Sequence, residues 1–185
     1  KVTSFNINYS ESDEVRLCNR YYDVDDKYEK RRLKIEAEML LEYEKGCVDH
    51  LLEDKENVNG LILCCMYAKG VMSKYGDFSK FKKIIGLCYN EKATFEANYD
   101  YKNDKCIFYT QDVEYPDFVE NLEQFMEERG IEKFDYIDIS MGFLDWKSPF
   151  KVIKNLKQFM ASDCRVFVRD IDDRVTFAYP DEKEL

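Results

Sequence analysis

The sequence predicts a doubly wound α/β domain on a mainly parallel sheet, and three observations carry that expectation. Between residues 61 and 171, five short apolar runs alternate with four segments of helical period, the rhythm of βαβ units whose crossovers cover both faces of a sheet. Stop and start signals fall between them, with Gly76 and Gly130 closing helices and Pro149 opening one. The 185 residues, 45% hydrophobic and 15% aromatic, suit one well-packed core rather than two.

Residues 1–24 carry no clear period and read as an irregular or partly helical arm. From Asp25 to Glu53, apolar residues such as Leu33, Ala37, Leu40, Leu41, Val48 and Leu52 recur three, four or seven apart among charges. That spacing predicts one long helix, or two joined near Gly46, packing a single face on the rest of the chain. Residues 1–56 are thus expected to form a helical extension that roofs part of a pocket, and residues 57–185 the main domain. After Asn57, Asn59 and Gly60, taken as turn residues, the expected strands are 61–65, 83–88, 105–110, 134–140 and 165–171. The expected helices are 68–77, 91–99, 116–129 and 149–160, and residues 175–179 allow one short further strand.

Composition narrows the partners. Against 38 acidic residues stand 28 basic ones, a formal charge of −10, which repels phosphate backbones and argues against nucleic acid and anionic membranes. No stretch approaches the roughly 20 apolar residues of a spanning helix, and Lys1 to Ser10 lack a signal-peptide run, so a cytoplasmic protein is expected. Seven cysteines (Cys18, Cys47, Cys64, Cys65, Cys88, Cys106 and Cys164) show no C-x-x-C spacing and read as reduced thiols. Cys47 and His50 form a lone C-x-x-H pair, short of a zinc site's ligand set, so no metal is expected. His50 itself reads as a structural or surface residue.

Open sheets of this kind bind ligands beyond the carboxyl ends of their strands, which points to residues 64–70, 88–91, 110–115, 140–148 and 170–174. The richest of these motifs are Phe134-Asp135-Tyr136-Ile137-Asp138-Ile139-Ser140, Leu144-Asp145-Trp146-Lys147-Ser148-Pro149 and Arg165-Val166-Phe167-Val168-Arg169-Asp170. With them, residues 58–181 resemble the class I S-adenosylmethionine-dependent methyltransferases, in particular bacterial small-molecule enzymes of that fold. The resemblance implies a Rossmann-like sheet of order 3-2-1-4-5, S-adenosylmethionine as cofactor and a small-molecule substrate. It also implies two further strands after the fifth, which are missing or truncated here, so that a homodimer or a larger parent polypeptide is expected to cover the edge.

The resemblance places the cofactor on Cys64, Met66, Ala68 and Gly70 after the first strand, Cys88 and Tyr89 after the second, Asp112 and Val113 after the third, and Ser140 at the end of the fourth. Met141, Trp146, Asp172 and Asp173 fall on the substrate side. The cofactor loop departs from the family's pattern, with Cys64 in place of an acid, Met66 in place of the first glycine, and Cys88 where a carboxylate usually accepts from the ribose hydroxyls. A thiol cannot replace that bidentate acceptor. Each residue also has a plainer reading: Asp112 as a turn cap, Trp146 as core, and Asp172 and Asp173 as a solvated turn. Two functions stay open, methyl transfer to a small molecule and a catalytically inactive module of the same fold used for interaction or regulation. No G-x-G-x-x-G or P-loop run supports a nucleotide-binding alternative.

Overall fold

The computed structural model describes residues 27–63, 67–101, 104–143 and 146–170. Five strands, β1 (Val58–Leu63), β2 (Phe81–Cys88), β3 (Cys106–Thr110), β4 (Phe134–Ser140) and β5 (Met160–Arg169), form one sheet in the order β3-β2-β1-β4-β5. Every pairing is parallel, as the sequence predicts. Register is set through the middle of the sheet, where Leu61 lies opposite both Ile85 and Ile137 and Ile62 opposite Asp138.

The helices are α1 (Lys27–Leu51), α2 (Ala68–Ser73), α3 (Glu91–Asp100), α4 (Phe118–Arg129) and α5 (Pro149–Leu156), the last followed by a 3₁₀ turn over Lys157–Phe159. α1 runs unbroken through Gly46, beside which there is open space. α3 starts where the Asn90 side chain accepts from the amides of Lys92 and Ala93 at 2.9 and 3.1 Å, a side-chain cap. α4 ends on Gly130 at φ 59°, with the Ile131 amide reaching back to the Met126 carbonyl at 2.9 Å, a left-handed stop that glycine takes without strain.

Several boundaries differ from the sequence expectation, the helix over 149–160 ending at Leu156 among them, and three have a packing reason. β1 begins at Val58 rather than Leu61, so Asn59 and Gly60 are strand residues, not turn residues. A Cβ on Gly60 would meet the Phe81 ring at 2.9 Å, so the glycine makes room for an aromatic on the neighbouring strand. α2 is six residues long rather than ten, because Lys74 and Tyr75 leave it to become buried core residues. β5 starts at Met160 instead of Arg165. Its first half, Ala161-Ser162-Asp163, lies at the sheet edge and is polar, so it gives no apolar strand signal.

Alternation along the strands divides the core in two. On one face, Leu61, Leu63, Ile85, Leu87, Ile137 and Ile139 pack under Leu122 and Met126 of α4 and Val152 and Leu156 of α5. On the other, Val58, Ile62, Ile84, Tyr136 and Phe167 pack under Met72, Ala93, Ala97 and the α1 end, Val48 and Leu52. α1 crosses this second face, tied to α3 by Lys30 to Glu96 at 2.8 Å and to the end of β5 by Arg169 with Glu36.

Candidate functional site at the carboxyl rim

All five strands point their carboxyl ends to one rim, and the sequence-selected residues sit along it at different depths. Ala68 is buried at the start of α2. Gly70 lies one step on, against Tyr67 and α1: a Cβ there would meet the Tyr67 ring at 2.7 Å and the Ala37 Cβ at 2.8 Å. Its bare backbone is therefore used for helix packing. Cys88 is fully buried, with Ala93 and Ala97 in the same cluster, and Tyr89 is half-buried just beyond it. Cys64, Met66, Asp172 and Asp173 lie outside the described residues.

Past β3, the Asp112 carboxylate accepts from the Glu114 amide at 2.9 Å, the turn-capping geometry that aspartate favours. Val113 is buried with Leu61, Leu87 and Phe118. The Gln111 side chain donates to the Asp112 carbonyl at 2.8 Å and accepts from Asn121 of α4 at 2.7 Å, so this loop is anchored from below. Trp146 is 9% exposed and packs at 5.5 Å between centroids on Phe143.

At the end of β4 the arrangement is electrostatic. Lys74 is 1% exposed and donates to Glu44 Oε2 at 3.0 Å and Ser140 Oγ at 3.1 Å, while its ammonium lies 2.9 Å from Asp138 Oδ2 as an ion pair. The Ser140 hydroxyl donates in turn to Asp138 Oδ1 at 2.6 Å, and the hydroxyls of Tyr75 and Tyr136 donate to Asp138 Oδ2. Arg169 Nε lies 2.8 Å from Glu44 Oε1, a charge contact without hydrogen-bond alignment. Burial, reinforced by the Asp138 carboxylate, pushes the phenols of Tyr75 and Tyr136 well above their usual range. Ser140 thus points into the cluster beneath the rim.

Directly after it, Met141 holds φ 59° while its amide donates to the Arg169 carbonyl at 2.7 Å. A non-glycine residue in this region stores strain, a pattern found at ligand sites. Met141 opens a groove of about 810 Å³ between α1 and β5, whose walls include Leu40, Tyr43, Cys47, Val168 and Arg169. A smaller cavity of about 180 Å³ lies between the β3 loop and the start of α5. Among the described residues, no group of three or more histidine, cysteine or acidic side chains could hold a metal, and no helix is long and apolar enough to cross a membrane.

Sequence reasoning passed over Glu36, Glu44, Lys74, Tyr75 and Arg169, and gave no role to Asp138. One signal was present: Asp138 and Ser140 interrupt the apolar alternation of β4, and a charge at an inward position needs partners. Glu114, which joins two rim loops, left no such trace.

No protein-family model and no curated protein matches the sequence. Solved structures do match. The chain is similar to the plantazolicin methyltransferase BpumL in complex with SAH, at 14% identity and TM-score 0.58, covering 87% of this chain and 59% of that one. It is similar to the same enzyme with a monoazolic desmethylPZN analogue and SAH, at 15% identity and TM-score 0.59, with the same coverage. It is also similar to YcgJ of Bacillus subtilis, at 11% identity and TM-score 0.52, covering 70% of this chain and 50% of that one. The chain thus spans about three-fifths of the plantazolicin enzyme's length. Shared strand order and helix placement define its fold as that of the class I S-adenosylmethionine-dependent methyltransferases.

A cofactor of that class fits this rim unevenly. The Asp112 carboxylate sits in an anchored turn at the end of β3. At the end of β2 stands Cys88, buried, whose thiol is no bidentate acceptor. Gly70 supplies no open cradle.

Proposed function

We propose that this chain is an S-adenosylmethionine-dependent methyltransferase domain acting on a small molecule. The observation that carries the reading is the five-stranded parallel order with an Asp112-Val113 turn at the end of β3, alongside neighbours crystallised with SAH. When bound, the cofactor supplies a methyl group already activated on a sulfonium. Asp112 would hold the adenine amino group, and Cys88 and Tyr89 would border the ribose. Met141 would line the acceptor's place in the groove beneath α1, while Trp146 would back the rim from the α5 side. Transfer then asks mainly for alignment, so no catalytic triad is required. The formal charge of −10 supports a small-molecule acceptor over nucleic acid, in the cytoplasm.

Calorimetric titration of the full chain with S-adenosylhomocysteine tests this, and a saturable micromolar isotherm is the expected result. An absence of heat at high micromolar ligand would remove the cofactor from the reading.

The packing of Gly70 against Ala37 and Tyr67 favours a second reading, a domain of this fold that has lost the cofactor and serves interaction or regulation. The triple variant Cys64→Asp, Met66→Gly, Cys88→Asp separates the two. Gain of binding marks a decayed site, while loss of an existing affinity marks residues adapted to their ligand.

A further inference from the structure

We infer that Glu114 is a positioning residue that clamps the loop after β3 to the loop after β4, so that filling the Asp112 side of the rim also sets the Trp146 side. The inference rests on the cofactor reading proposed above.

The sheet order puts β2 and β1 between β3 and β4. Three strand spacings of about 4.8 Å separate their ends by roughly 14 Å, too far for the ladder itself to couple them. The loops leaving the two strands come together above the sheet, and Glu114 joins them. Its carboxylate accepts from the Ser148 amide at 2.7 Å and the Lys147 amide at 3.1 Å. These are the amides just before α5, where Ser148 makes no side-chain cap of its own and Pro149 brings no N–H. An anion placed there is favoured by both hydrogen bonding and the helix dipole.

At its other end, Glu114 belongs to the turn that holds the proposed adenine carboxylate, since its own amide donates to Asp112 Oδ1. That turn is fixed to α4 through Gln111 and Asn121. Trp146 immediately precedes the clamped amides and is itself bonded back to the Gly142 carbonyl at 3.1 Å. Displacement at Asp112 is therefore transmitted through one side chain to the start of α5 and the tryptophan. Without the clamp, the two loops sample arrangements independently, and ligand affinity falls with the fraction that is competent.

The test compares the wild type with Glu114→Ala and Glu114→Gln, using amide hydrogen exchange at Lys147 and Ser148 and calorimetric affinity for S-adenosylhomocysteine. In Glu114→Ala, both amides should exchange about tenfold faster and the ligand should bind about tenfold more weakly. Glu114→Gln keeps one of the two oxygen acceptors, so it should protect one of the two amides and recover part of the affinity. Added ligand should slow the two amides in the wild type and leave them unchanged in Glu114→Ala. Faster exchange with wild-type affinity would reduce Glu114 to a helix cap and overturn the coupling. Unchanged exchange would refute the contact. A wild type that binds no ligand would remove the cofactor reading and the coupling with it, an outcome distinct from the other two.

Discussion

Both faces of the sheet carry an apolar core, but one of them also holds a buried charged cluster. Beneath α4 and α5, the buried strand residues are Leu61, Leu63, Ile85, Leu87, Ile137 and Ile139, an aliphatic surface met by aliphatic helix faces. Beneath α1 and α2, β4 presents Tyr136, Asp138 and Ser140, met by Glu44 of α1 and by Lys74 and Tyr75 just past α2. Apolar contact is non-directional and tolerates small shifts of a helix. A buried ammonium with three oxygen partners permits one arrangement. The charged face gains little stability from its ions, because desolvation offsets their attraction. What it gains is a fixed seat for α1, whose Glu36 and Glu44 both reach Arg169 at the mouth of the groove.

Breaking the charged face at its centre should have the largest effect. Lys74→Met removes the only cation touching both Glu44 and Asp138 among the described residues. It leaves buried carboxylates facing each other, at a cost of about 3–5 kcal/mol. Chemical denaturation gives the number. The double variant Lys74→Met, Asp138→Leu should recover much of that loss while leaving α1 less firmly placed, which exchange at the amides of 36–44 would show. A single variant within about 1 kcal/mol of wild type would mean that water reaches the cluster.

A smaller perturbation separates packing from ligand binding on the same face. Gly70→Ala places a methyl 2.7 Å from the Tyr67 ring and 2.8 Å from Ala37. The overpacking should cost about 1–3 kcal/mol. If the glycine serves helix packing alone, the affinity of the folded protein for S-adenosylhomocysteine stays near the wild-type value. A large drop in affinity with little change in melting temperature would return Gly70 to the cofactor.

This contrast also explains what the sequence made legible. All five strands were readable because parallel strands buried on both faces are continuous apolar runs, as at Ile84-Ile85-Gly86-Leu87, whereas their order came with the family resemblance. The charged face was not, since its members are scattered at 36, 44, 74, 138 and 169, and neither period nor spacing predicts that a lysine leaving a short helix meets an aspartate in a central strand. Asp112 was singled out for the end of the third strand and lies there on the rim, yet whether it caps a turn or holds a ligand was undecidable from residue type. The fold shows that it does cap the turn, without removing it from the rim.

The mildest difference between the faces is in alkali. On the charged face, burial and Asp138 hold the Tyr75 phenol well above the ordinary value of 10.0, burial does the same for Tyr136, and burial with Asp100 pushes Tyr101 up to about 12. On the apolar face, burial and a hydrogen bond to Glu128 push Tyr109, stacked on Phe125, up to about 12. Each phenol binds its proton more tightly in the folded chain than in the unfolded one. The stability they contribute is therefore complete below about pH 10, and it is lost as pH rises from there through the folded values. Melting temperature should be level up to about pH 9 and fall by about pH 11, with phenolate absorbance of these four residues appearing only as the fold is lost. Tyr109→Phe should leave most of that decline in place, whereas the triple variant Tyr75→Phe, Tyr101→Phe, Tyr136→Phe should flatten it, because the charged face carries three of the four groups. Full ionisation of the folded protein's tyrosines near pH 10, with no change in melting, would show that neither face shields them.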